Sequence, residues 1–134
     1  MSLKLKKKIL YLIGGSGKIG SDIADKFLKS GFKVVILDKI QSKKVYKNKN
    51  LSFEFIDLEK LNSIEKKLKN IIKKYGVPDS LINSSYPTSK NWFNSNLDKI
   101  KIDTFTENMN IHLGSFFWSA KIMADFMKKK KEGS

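Results

Sequence analysis

Two short apolar runs set the limits on what this chain can build. Residues 8–13 (KILYLI) and 33–38 (KVVILD) are apolar at nearly every interior position, without the polar alternation of a strand that has one wet face. A continuous apolar run of this length, bounded by turn residues, reads as a strand covered on both faces, as in a parallel sheet. Residues 51–57 (LSFEFID) and 80–84 (SLINS) read as a third and a fourth strand. Helix-spaced segments lie between them. Residues 19–30 place Ile23, Ala24, Phe27 and Leu28 on one face and stop at Gly31. Residues 59–75 carry Leu61, Ile64, Leu68, Ile71, Ile72 and Tyr75 and end before Gly76 and Pro78. Residues 103–131 form a long third helix, with Asp103 or Thr104 as its expected cap. Residues 41–50 are a polar connection with room for a short helix, and residues 86–98 a loop. Strands alternating with helices predict an α/β fold: a parallel sheet with helices on both faces.

The chain has 134 residues, enough for one domain with a real core. No apolar run approaches the ~20 residues of a membrane span. The start, MSLKLKKKIL, places lysines before apolar residues, but the run is short and breaks into glycines, so it reads as the approach to the first strand. There is no cysteine, which removes disulfides, thiolate metal sites and a catalytic thiol; no metal ligand set is expected, and a cytoplasmic location is. The net charge of +14 resembles a nucleic-acid signal, yet all 27 basic residues are lysine and none is arginine. They are spread over the whole length. A solvated basic surface is the expected reading, and nucleic acid is not an expected partner.

Between the first strand and the first helix stands LIGGSGKIG, residues 12–20. A phosphate-binding P-loop needs G-x-x-x-x-G-K-[ST]. Here Leu12 stands where the first glycine belongs, and Ile19 where a magnesium-binding hydroxyl belongs. A dinucleotide turn fits better. Gly14 allows the tight turn off the strand, Gly17 lets backbone approach a pyrophosphate, and Gly20 permits close helix–strand packing. The helix N-terminus offers N–H groups and a positive dipole end. Ser16, Lys18 and Ile19, set among these glycines, are counted with them as cofactor-binding positions. Asp38 ends the second strand 24 positions after Gly14. A carboxylate there accepts hydrogen bonds from the adenosine ribose and repels a 2′-phosphate. That favours NAD over NADP, although Lys39 next to it softens the exclusion. The fold expectation sharpens to a Rossmann-type domain.

In this order and spacing, LIGGSGKIG, ILDK, FIDLEK and LINSSY resemble the N-terminal part of the short-chain dehydrogenase/reductase family. The family usually reads TGxxxGIG at the turn; here Ile13 replaces the Thr and Lys18 the middle glycine, while Gly17 gives the spacing of its extended branch. The resemblance implies that Asp57 and Leu58 contact the adenine. It also places Asn83, Ser84 and Ser85 at the Asn-Asn-Ala-Gly segment near the nicotinamide side, where only Asn83 matches. HLGSFFWSAKIMADFM resembles the family helix that carries a structural or catalytic Asn; His112 falls at that position and Asn110 two residues away. The blander expectation for His112 is packing at a core edge. The loop and helix from Asn83 to Met127 further resemble members associated with flagellin or surface-glycan modification, which suggests a sugar-like substrate.

The resemblance covers nearly the whole chain but about the first half of the family's domain, so the fold is expected to stop after the fourth strand and the long helix, as a partial NAD(P)-binding domain over residues 1–134. The tail ADFMKKKKEGS would lead into a fifth strand. The family's catalytic Ser and Tyr-x-x-x-Lys would follow it, so no catalytic residue is assigned here. Tyr86 to Lys90 spells Y-x-x-x-K, but Pro87 puts it in a loop, where residues four apart share no face. Two functions of different class follow. One is the cofactor half of an oxidoreductase moving hydride between nicotinamide and an alcohol or carbonyl carbon of an unidentified small molecule. The alternative is a non-catalytic nucleotide-binding half-domain that self-associates through an open fourth-strand edge and through Phe116, Phe117 and Trp118. A homo-oligomer is expected in either case.

Overall fold

The computed structural model describes residues 7–41 and 48–134. The expected short helix in the 41–50 connection lies largely outside the described residues. The described chain runs β1 (Ile9–Ile13), α1 (Lys18–Lys29), β2 (Lys33–Asp38), β3 (Leu51–Phe55), α2 (Leu61–Tyr75), β4 (Ser80–Asn83), a 3₁₀ turn (Trp92–Asn94) and α3 (Ile102–Lys130). The sheet order is β3-β2-β1-β4 and every pairing is parallel. Registers run from Ile9 against Lys33 to Ile13 against Leu37, from Leu10 against Ser80 to Ile13 against Asn83, and from Val34 against Leu51 to Asp38 against Phe55.

The apolar runs of β1 and β2 divide by parity because successive side chains leave opposite faces. Ile9, Tyr11, Ile13, Val35 and Leu37 pack with Ile64, Leu68 and Ile71 of α2 and with Ile122 and Met123 of α3. Leu10, Leu12, Val34 and Ile36 pack on the other face with Ala24, Ile23 and Phe27 of α1. Both faces are therefore covered, as the sequence predicts. Inside the larger core, Tyr11 donates its hydroxyl to the Gly76 carbonyl at 2.7 Å and to the Ile71 carbonyl at 3.2 Å, so β1 grips the end of α2. Burial, with Tyr75 and Glu54 nearby, raises the pKa of that hydroxyl.

The end of α1 shows why Gly31 stops it. Gly31 has φ +85. The Phe32 N–H donates to the Phe27 carbonyl and the Gly31 N–H to that of Leu28, both at 3.0 Å. The Phe27 and Phe32 rings meet edge to face at 4.9 Å. This is a Schellman ending with its apolar clasp.

Some boundaries differ from the sequence reading. β3 ends at Phe55, not at Asp57. The Asp57 carboxylate accepts the Glu59 N–H at 3.2 Å and its carbonyl accepts the Lys60 N–H at 3.2 Å, so the chain is already turning toward α2. β4 ends at Asn83, one residue early. α3 begins at Ile102 with Lys101 at its cap and no side-chain cap bond, so neither Asp103 nor Thr104 caps it; Asp103 lies within the first turn, where the helix dipole favours an acid. The outer edge of β4 is met at its start: the Ser134 N–H donates to the Asp79 carbonyl at 3.0 Å, and the Leu81 N–H donates to the Ser134 carbonyl at 2.8 Å. Those two bonds are one rung of a parallel ladder. Asp79 also accepts the Ile9 N–H at 2.6 Å and pairs with Lys130. This corner therefore ties β1, β4 and the end of α3 together.

Candidate functional site

β1 connects toward β2 and β3 on one side, and β4 lies on its other side. The loops at the C-terminal ends of β1 and β4 therefore diverge, and a crevice opens there, where ligands bind in open α/β sheets. In this protein the crevice is a cleft of about 540 Å³. Of the sequence-predicted residues, Gly14, Ser16, Gly17, Asp38, Asp57, Leu58, Ser84 and Ser85 line it. Lys18, Ile19, Gly20 and Asn83 do not. Lys18 opens α1 and is exposed, and Ile19 is 71 % exposed beside it. Gly20 is buried beneath the turn, and Asn83 stands behind Ser85.

The glycines differ in what they are needed for. Gly14 has φ +76, and a Cβ on it would lie 2.7 Å from Ser85 Cα. Its N–H donates to the Leu37 carbonyl at 2.9 Å, which continues the β1–β2 pairing into the turn. A Cβ on Gly20 would collide with the Gly14 carbonyl oxygen and lie 2.7 Å from Gly15 Cα. Gly17 is different: a Cβ there would meet only the Gly14 oxygen, at 3.4 Å. The protein leaves that side open. Gly17 is also the N-cap of α1, with no side-chain cap and no acid in the first turn, so the leading N–H groups of the helix are available to an anion. Gly15 was given no role by the sequence reading, yet a Cβ on it would lie 2.9 Å from two Ile36 side-chain carbons. The glycine pair after a strand was the signal available for it.

Asp38 closes the turn from the β2 side. Its Oδ2 accepts the Ser16 N–H at 3.0 Å, and its Oδ1 accepts the N–H groups of Lys39 at 2.7 Å and Ile40 at 3.3 Å. Farther along this wall, Lys39 Nζ lies 3.0 Å from Glu59 Oε1 and 3.7 Å from Asp57 Oδ1. The Glu59 hydrogen bond is the main cause that raises the Lys39 pKa. On the β4 side, Asn83 Oδ1 accepts the Ser85 N–H at 3.0 Å and the Ser85 hydroxyl at 2.6 Å, and the Ser84 hydroxyl reaches the carbonyls of Ile13 and Gly14 at 3.2 Å. Among the described residues, two buried polar atoms of this site lack a partner, Ser16 Oγ and Asn83 Nδ2. A cradle open at Gly17, with an unpartnered hydroxyl beside it and a carboxylate at its far wall, fits a phosphate-bearing nucleoside.

Tyr86 also lines the cleft, and sequence reasoning missed the wall residues Ile40, Pro87 and Thr88 beside it. The Tyr86–Lys90 segment is irregular and Lys90 is exposed, so these two side chains do not share a helical face. The Tyr86 ring meets His112 at 4.7 Å and His112 meets Phe116 at 4.8 Å, so His112 is a packed ring between two others. Asn110 is exposed. Asn108, also missed, is buried on α3, and its Oδ1 accepts the Ser89 N–H at 3.0 Å, which anchors the loop leaving the cleft. Among the described residues, no helix is long and apolar enough to cross a membrane.

The family model for short chain dehydrogenases matches residues 8–134. The chain belongs to the short-chain dehydrogenase family. It is similar to the post-translational flagellin modification protein A of Campylobacter coli, 26 % identical across 97 % of this chain and 54 % of that protein. Among solved structures it is similar to a short chain dehydrogenase of Leptospira borgpetersenii with bound NAD+, at a TM-score of 0.79 and 23 % identity over 97 % of this chain and 52 % of that one. A variant of ElxO with NADPH bound is similar at a TM-score of 0.78 and 24 % identity, over 96 % and 53 %. The chain thus spans about half the length of the relatives it matches. The expected Rossmann-like architecture and the expected family both hold, and similar structures carry NAD+ or NADPH, a nicotinamide dinucleotide in each case.

Proposed function

We propose that this chain is the cofactor-binding part of a cytoplasmic oxidoreductase that uses NAD in preference to NADP. One observation carries the reading: the Asp38 carboxylate and the open side of Gly17 meet in one cleft, bridged by the Ser16 N–H. The turn from Gly14 to Gly20 and the start of α1 would hold the pyrophosphate. Asp38 Oδ2 accepts a single N–H and keeps a lone pair for a ribose hydroxyl. Asp57 and Leu58 would bound the adenine, and Asn83, Ser84 and Ser85 the nicotinamide side. The bound dinucleotide supplies the hydride chemistry. The residues of this chain bind and orient it, and the substrate, sugar-like by analogy with the flagellin-modification relative, is met elsewhere.

Among the described residues, three acids (Asp38, Asp57 and Glu59) line the β2–β3 wall against one lysine, Lys39, in a chain of net charge +14. A local acidic wall in a basic protein opposes the extra phosphate of NADP. Titration of NADH into the chain by calorimetry tests the reading: saturable binding is expected, and its absence at millimolar NADH overturns it. Residues 1–134 alone are expected to turn over no alcohol; turnover would return Tyr86 and Lys90 to consideration.

Self-association is the second part of the proposal. Ile102, Phe105, Met109, Leu113 and Phe117 recur every three or four residues along α3, and all are exposed. At this spacing they form one stripe. Asp103 and Glu107 lie toward one end of the helix, and the exposed Lys128 and Lys129 toward the other. Two copies of α3 set antiparallel bring the acidic end of each to the lysine-rich end of its partner. That arrangement suits a second copy of this chain despite its net charge.

A further inference from the structure

We propose that Glu59, by holding Lys39, strengthens the cleft's preference for a dinucleotide whose adenosine ribose carries no 2′-phosphate. The inference rests on reading the cleft as a dinucleotide site. Lys39 leaves β2 directly after Asp38 and donates its N–H to that carboxylate at 2.7 Å. Its side chain is therefore rooted beside the group that faces the ribose, where a 2′-phosphate would need a cation. The ammonium instead lies on the β3 side of the cleft, 3.0 Å from Glu59 Oε1 and 3.7 Å from Asp57 Oδ1. Lys60 also approaches Asp57, at 3.8 Å, but does not line the cleft.

Asp57 is largely buried and is committed to its own turn, accepting the Glu59 N–H. Glu59 is the partner that can be removed without disturbing that turn. The Lys39 and Glu59 side chains are 49 % and 37 % exposed, so the tie between them is weak and screened. A dianionic phosphate at the ribose competes with a single carboxylate for the same lysine, and prevails more readily once Glu59 is neutral. Glu59 is thus a positioning residue that acts through Lys39, while Asp38 keeps its own repulsion in either state.

The test titrates NADH and NADPH into the 134-residue chain and into Glu59→Gln, Lys39→Met and the double variant, followed by calorimetry and by backbone amide shifts. The wild-type chain is expected to favour NADH. Glu59→Gln is expected to raise NADPH affinity relative to NADH by roughly fivefold, the scale of one exposed ion pair. That gain is expected to vanish in the double variant. An unchanged ratio in Glu59→Gln, an equal gain without Lys39, or a wild-type preference for NADPH overturns the proposal and leaves the cleft a dinucleotide site. Binding of neither dinucleotide to the wild-type chain overturns the parent reading, and this inference with it.

Discussion

Asp38 Oδ2 accepts the Ser16 N–H at 3.0 Å, so the acid that ends β2 also pins the glycine turn that follows β1. The two sequence signals for a dinucleotide are one physical unit. Asp38→Asn would present an amide N–H either to the Ser16 N–H or to those of Lys39 and Ile40, and one side must lose its acceptor. A loss of about 1–2 kcal/mol in unfolding free energy is expected, together with NADH binding weakened roughly tenfold. Urea unfolding and calorimetry read the two effects separately.

Gly17 and Gly20 separate binding from stability. Gly20→Ala drives a methyl into the Gly14 carbonyl and should cost about 2–4 kcal/mol of stability. Gly17→Ala meets only one atom, at 3.4 Å, and should change stability by no more than about 1 kcal/mol. The same methyl projects into the open side of the cleft, so NADH affinity should fall roughly tenfold or more. Equal loss of stability in the two variants would contradict this division.

The corner at Asp79 makes stability depend on acid. Burial pushes this carboxyl up, but the Lys130 ammonium and the Ile9 N–H outweigh burial and hold it below its ordinary value of 3.8. A carboxyl depressed in the folded state contributes fully above its unfolded pKa, and the contribution is lost as pH falls through the folded one. Asp79→Asn should therefore melt several degrees below wild type at pH 7, with the gap closing as pH drops below about 4. A gap that stays constant from pH 7 to pH 3 would sink this account.

The α3 stripe predicts a separable effect. Leu113 is 61 % exposed, so Leu113→Glu should leave the unfolding of an isolated monomer nearly unchanged. In sedimentation equilibrium the wild-type chain should associate and the variant should run as a monomer. Because the paired ends are charged, raising salt should loosen the association only in part, leaving the apolar share.

Local pattern fixes what one segment needs, and here it was enough for much of the molecule. The two-sided burial of KILYLI and KVVILD, the stop at Gly31 and the spacing Gly14-Gly17-Gly20 were legible because each depends on residues within a turn or two of one another. Asp38 was legible because a strand end next to a glycine turn leaves few places for a carboxylate. The tertiary structure decided the rest. Gly15 is required by Ile36, 21 positions away, and Asn108 by the Ser89 N–H. Lys39 is drawn to acids that follow a different strand. The position of Asp57 after β3, not within it, depends on where its carboxylate found an N–H. Periodicity names the face a residue occupies; only the closed sheet decides which residue from another strand or helix is there to meet it, because those contacts are made through space and leave no regular interval in the chain.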